Sequence, residues 1–172
     1  EPPLAILRGD RDGVALDAAA RHPGIRLLAS RPGNYLYDDG RHAMRGLLRD
    51  HAHVDGVLAA NDSMALGAIE ALREAGRTSL VVGVNAIPEA IEALQAGTLL
   101  ATADFDAHKI ASVAAEAAVR VLHGLPVPRE ILLPVEIVDA ARCAAWVGPM
   151  ESRPQPAWDT VVTEERFRTP IG

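Results

Sequence analysis

Three times in this chain a short, largely apolar run breaks off at a polar side chain, and a helix-forming stretch begins within a few residues. Residues 56–60 run into Asn61 and Asp62, residues 80–84 into Asn85, and residues 99–103 into Asp104 and Phe105. Runs this short with no polar alternation suit strands that are covered on both faces, which is the condition of a parallel sheet flanked by helices. Strand and helix in strict alternation therefore predict an α/β fold. It is a doubly wound, mainly parallel sheet with helices on both faces, a Rossmann-like three-layer sandwich. In such a sheet all three polar termini fall on the carboxyl edge, where loops and helix N-termini face a common crevice.

The rest of the chain extends the pattern. Residues 4–7 read as a first strand, residues 9–13 as a polar turn, 14–21 as a helix and 25–29 as a second strand. A loop at 30–34 leads to Tyr35 and Tyr37. Asp38 or Asp39 is placed to cap a helix reaching about Asp50, with Ala43, Met44, Leu47 and Leu48 on its apolar face. Asp62 or Ser63 is placed to cap the next helix, to about residue 75, which would leave Asn61 free. That helix buries Ala65, Ala68, Ile69 and Leu72, turns Glu70, Arg73 and Glu74 to solvent, and stops at Gly76. A further helix opens at Pro88, faces inward with Ala90, Ile91 and Leu94, and stops at Gly97. The cleanest stripe, Ile110, Val113, Ala114, Ala117, Ala118, Val121 and Leu122, lies on a helix from about 106 to 123, with Glu116 and Arg120 paired opposite. Residues 131–138 read as a last extended segment, made edge-like by Pro134. We therefore divide the chain into an α/β lobe, residues 1–141, and an irregular Pro- and Arg-rich tail, 142–172, that packs in places.

Several functions are disfavoured at this level. A net charge of −6 without a dense basic cluster argues against nucleic acid as a partner. No apolar run approaches a membrane span, so no direct membrane insertion is expected. The chain has no G-x-S-x-G elbow, no H-E-x-x-H and no P-loop, and the scattered carboxylates are explained by caps and turns, so an enzyme is not expected. His42, His51 and His53 lack an i, i+4 pair, and the lone Cys143 builds no site; neither a metal nor a cofactor is expected. What the strand ends do offer suits vicinal hydroxyls. An amide such as Asn61 or Asn85 donates and accepts at once without burying net charge. The Asp104 carboxylate accepts strongly, and Phe105 supplies a flat apolar wall.

The runs VDGVLAANDSMALGAIEALREAG and LVVGVNAIPEAIEALQAGTLLATADFDAHKIA resemble the C-terminal lobe of a type I periplasmic sugar-binding protein, the ribose-binding kind that feeds an ABC transporter. The resemblance extends from about Pro3 to about Arg142. It implies a periplasmic protein, a sugar or polyol ligand held between two lobes, and an ABC transporter permease as partner. In the family the position matching Asn61 commonly contacts ligand. The position matching Asn85 is often Asp, that matching Phe105 is often Gln, and an Arg near the first turn corresponds loosely to Arg11. The departures at Asn85 and Phe105 leave sugars other than ribose, polyols and other small polar ligands open. The resemblance also implies that the chain is half of a two-lobed protein, with the N-terminal lobe absent. The chain would cross to that lobe after about Phe105, so the Ile110 to Leu122 stripe would lack its packing partner, which implies an exposed apolar patch, a different packing or self-association. The effector domain of a LacI-type transcription regulator shares the fold and is the alternative. The stretch beginning at Asn85 and the ending LPVEIVDAARC with a long tail speak against it.

Overall fold

The computed structural model describes residues 3–8, 20–153 and 157–162. The expected turn at 9–13 with Arg11, and most of the helix expected at 14–21, lie outside the described residues. Among the described residues six strands form one sheet: β1 (Pro3–Arg8), β2 (Arg26–Pro32), β3 (Gly56–Ala59), β4 (Leu80–Val84), β5 (Ala101–Asp104) and β6 (Glu136–Asp139). Their spatial order is β2-β1-β3-β4-β5-β6. The first five are parallel, and β6 alone runs antiparallel, against β5. The predicted mainly parallel α/β sheet is the fold observed.

Helices α1 (Tyr37–Asp50), α2 (Asp62–Glu74) and α3 (Pro88–Gln95) carry the chain from β2 to β3, β3 to β4 and β4 to β5. All three connections move the same way across the sheet, so right-handed crossovers put these helices on one face. Beneath them lie Leu7, Met44, Leu47, Val57, Met64, Ala65, Ala68, Val81, Ile91 and Leu94, all buried. Two glycines set how closely α1 and α2 approach. A Cβ on Gly40 would come within 2.8 Å of the Met64 Cα, and one on Gly67 would overlap the Tyr37 carbonyl oxygen. Arg77 closes the other end of α1, donating to the Leu48 and His51 carbonyls at 3.1 Å and to the Ala52 carbonyl at 2.6 Å. These are carbonyls that a helix end leaves without partners.

Four local expectations are corrected. α1 has no side-chain cap: Leu36 occupies the cap position, Asp38 and Asp39 lie in the first turn, and Asp39 accepts a 2.9 Å bond from the Asn34 amide instead. In α2 and α1, Ile69 and Leu48 are only partly buried, because the glycine contact brings Gly67 and Gly40 inward in their place. β5 starts at Ala101 rather than 99, because the Leu99 N–H bonds the Ala93 carbonyl and closes α3. The last strand is confined to Glu136–Asp139. Pro134 lacks the N–H a ladder needs, and the preceding residues face a neighbouring helix instead.

That helix is α4 (Ala107–Leu122), of which only Val113 is buried. Val121 and Leu122 are 63% and 84% exposed. Among the described residues the stripe is thus open at its C-terminal end, at Val121 and Leu122. An open groove of about 500 Å³ separates α4 from residues 127–133, lined by Phe105, Ile110, Val113, Ala117, Ile131 and Leu132. Beyond β6, 3-10 turns at Cys143–Trp146 and Met150–Ser152 and the short helix α5 (Trp158–Val161) bring the tail back onto the fold. Trp146 packs on the core, and Arg120 lies over the Trp158 ring, 4.5 Å from its centroid.

Candidate functional site at the carboxyl edge of the sheet

The strand order reverses at β1, whose neighbours are β2 and β3. The crevice outside the carboxyl ends at such a reversal is where open α/β sheets take ligands. Here the end of β1, the loop after β2 and the end of β3 are joined by hydrogen bonds. The Gly33 N–H donates to the Arg8 carbonyl at 2.9 Å, tying the β2 loop to the end of β1. Asn34 and Tyr35 follow with positive φ.

Asn61 ties that loop to β3, and its role differs from expectation. It is itself the cap of α2: its Oδ1 accepts from the Met64 N–H at 2.9 Å, and its Nδ2 donates to the Tyr35 carbonyl at 2.9 Å. Neither Asp62 nor Ser63 caps the helix, because Asn61 holds the extended backbone a cap requires. One amide hydrogen and one lone pair of Asn61 stay available beyond these two bonds. Tyr35, 43% exposed, stands at the same edge with its backbone fixed by Asn61. In the sequence Tyr35 stands just beyond the loop at 30–34 and is given no ligand role. The signal that marks it is scarcity, since the chain has two tyrosines, two phenylalanines and two tryptophans.

Asp62 does different work. Its side chain is 0% exposed. Oδ1 accepts from the Thr102 hydroxyl at 2.7 Å, and Oδ2 accepts from the Ile87 N–H at 3.0 Å. The Thr102 oxygen in turn accepts from the Ala86 N–H at 3.2 Å. Burial pushes the Asp62 carboxyl up to about 6, against the opposing pull of the Thr102, Ile87 and Ala86 bonds. This cluster holds the turn after β4, where Asn85 and Ala86 both have positive φ, 116° and 51°. Asn85 is half-buried, and among the described residues its amide takes no hydrogen-bond partner. Of the polar groups expected at the three strand ends, only the Asn85 side chain is uncommitted.

Asp104 is not brought to the crevice. It is 3% exposed; Oδ1 accepts from the Asp106 N–H at 2.7 Å, and Oδ2 accepts from the Trp146 indole N–H at 2.6 Å. The Arg153 guanidinium lies 3.8 Å from the same oxygen. A buried carboxylate requires such partners, so its accepting capacity is spent within the fold. Trp146 and Arg153 come from the tail, where nothing in the sequence spacing announces them. Phe105 lines the α4 groove. Arg11 lies outside the described residues. Among the described residues no group of three or more His, Cys, Asp or Glu is arranged to hold a metal. No helix there is long and apolar enough to cross a membrane.

Residues 7–126 match the model of the periplasmic binding protein domain. The D-ribose/D-allose-binding protein of Pseudomonas aeruginosa is 36% identical over 132 residues, covering 73% of this chain and 40% of that protein. A periplasmic solute-binding protein of an ABC transporter from Actinobacillus succinogenes, solved with bound D-allose, superimposes with a TM-score of 0.80 at 30% identity, over 84% of this chain and 54% of that one. A solute-binding protein from Bacillus halodurans with bound myo-inositol gives 0.79 at 28% identity, over 85% and 54%. The chain spans less than half the length of the curated relatives it matches. With this sheet, this strand order and a match over most of its length, the chain belongs to the periplasmic binding protein domain family, a family of solute-binding proteins rather than enzymes.

Proposed function

We propose that the chain is the C-terminal lobe, through about residue 141, of a periplasmic solute-binding protein that delivers a sugar or polyol to an ABC transporter permease. Its carboxyl edge holds half of the ligand site. The observation that carries this reading is the Asn85 side-chain amide, uncommitted on a turn anchored through the N–H groups of Asn85, Ala86 and Ile87 and the carbonyl of Ala86. Asn61 contributes its remaining hydrogen and lone pair, and Tyr35 an apolar ring face against which a sugar can stack. Arg11 and Phe105 join them on the sequence argument alone. Asp104 is withdrawn, because its oxygens serve the fold. D-allose and myo-inositol in related structures are both small rings with several hydroxyls, the chemistry to which a set of neutral amides is suited.

In the intact protein a second lobe would close over the ligand by hinge motion. That lobe would also cover the α4 stripe, and where the stripe is left uncovered two copies of this chain would pair through that face. A full site of micromolar affinity is worth about −8 kcal/mol; half of it leaves about −4, in the millimolar range. The ligand's lost freedom must still be offset by fewer contacts, so the constant is weaker again.

The test is a backbone amide NMR titration with pentoses, hexoses and polyols at tens of millimolar. Saturable shifts confined to Asn85, Asn61 and Tyr35 are expected, with the largest response identifying the ligand class. A well-dispersed spectrum that no sugar moves at these positions would overturn the assignment of the site.

A further inference from the structure

The Ala86 peptide is held from both sides by groups distant in sequence. Its N–H reaches Thr102, the following N–H reaches Asp62, and its carbonyl accepts a 2.7 Å bond from Arg153, 67 residues away. Arg153 is buried. It enters from the tail, beyond the lobe, and its guanidinium also lies 3.8 Å from Asp104. Trp146 fixes the same carboxylate from the first tail turn. Asp104 thus seats the tail, and the tail delivers one cation to the turn that carries Asn85.

We propose that Arg153 is a positioning residue for the ligand site: it holds the Asn85–Ala86 turn in the conformation that presents the Asn85 amide. This makes the tail a working part of the crevice rather than an appendage, and it rests on the reading of Asn85 as a sugar contact. Two physical features support it. Positive φ at two successive non-glycine residues is unfavourable unless the surroundings over-determine it. A hydrogen bond from a buried, charged donor to a carbonyl is among the stronger single contacts a fold can supply. Removing the guanidinium leaves the Ala86 carbonyl buried with no donor, so the turn relaxes and the amide loses its aim.

The experiment compares the wild-type chain with Arg153→Met, which keeps the aliphatic stem, and with Arg153→Lys. Trp146→Phe serves as a control that removes a donor to Asp104 while leaving the bond to Ala86. Two readouts are taken on each: amide hydrogen exchange, and the shift of Asn85 on titration with D-allose and myo-inositol. In Arg153→Met, exchange at Ala86 and Ile87 is expected to rise about tenfold or more, with the centre of β4 unchanged, and the sugar response at Asn85 to weaken in step. Arg153→Lys restores part of both, and Trp146→Phe leaves the turn protected.

Unchanged exchange at Ala86 and Ile87 in Arg153→Met overturns the proposal. So does a looser turn with an undiminished sugar response. Should Arg153→Met fail to fold, Arg153→Lys carries the same test, and protection equal to wild type at the turn then overturns the proposal. A wild-type chain whose Asn85 no sugar moves overturns the sugar-site reading, and the positioning role with it. That failure is distinct because it appears before any substitution.

Discussion

Replacing Asp62 by Asn tests the electrostatics of the turn directly. The Asp62 carboxyl is raised from an ordinary 3.8 to about 6 by burial, so the folded state binds a proton that the unfolded state has already released. Stability then falls as pH rises between those two values. The group's destabilising contribution is absent below about pH 4 and complete above about pH 7. At about 1.4 kcal/mol for each tenfold, the gap amounts to about 3 kcal/mol, of which about 2.5 falls between pH 4 and pH 7. Asn mimics the protonated carboxyl: its oxygen accepts from the Ile87 N–H and its amide donates to the Thr102 oxygen, so the shape and most of the bonding persist. Glu70 and Glu74 are held low by bonds from Arg73 and Arg41 and contribute in the opposite sense. The difference between wild type and Asp62→Asn cancels them. Urea denaturation of both proteins at pH 4 and pH 7 should show wild type losing about 2.5 kcal/mol relative to the variant as pH rises. Parallel pH profiles for the two would refute the reasoning.

Three further perturbations follow from the packing. Asn61→Ala removes the α2 cap and the anchor of the Tyr35 carbonyl, and should cost about 1–2 kcal/mol in thermal or urea unfolding with no ligand present. Gly67→Ala drives a methyl into the Tyr37 carbonyl and should cost about 1–3 kcal/mol despite the better helix propensity of alanine, which calorimetry would register. Val121→Glu with Leu122→Lys on the exposed face of α4 should leave stability within about 0.5 kcal/mol. Sedimentation should then show less self-association than wild type; a wild type that is monomeric at every concentration would remove that face as a dimer contact.

The sheet was legible because its signal is redundant. Residues 80–84 and 56–60 are too apolar and too short to be anything but buried strands once Gly76 and Pro88 punctuate the helices between them. The apolar stripe of α4 was legible from its helical spacing, whereas the exposure of Val121 and Leu122 was an expectation of the resemblance alone. The site was less so. Whether Asn61 or Asp62 caps α2 depends on a backbone angle, and both residue types serve equally well on sequence grounds. That Asp104 faces inward depends on Trp146 and Arg153 arriving from a segment with no periodicity. The Trp146 bond to Asp104 spans 42 residues and the Arg153 bond to Ala86 spans 67, and neither leaves a local trace.

The backbone at Asn85 also limits how a protein of this design can change its ligand. A φ of 116° admits glycine freely, and among other residues chiefly the short polar ones whose side chains bond locally. The position is therefore a socket with a small vocabulary. It can trade an amide for a carboxylate, or fall silent as glycine, but a long or branched side chain would break the turn before it reached the ligand. On the proposed reading of the site, diversity of substrate would then be written at Tyr35 and on an opposing lobe, with Asn85 a position of few choices to which each new ligand would be fitted.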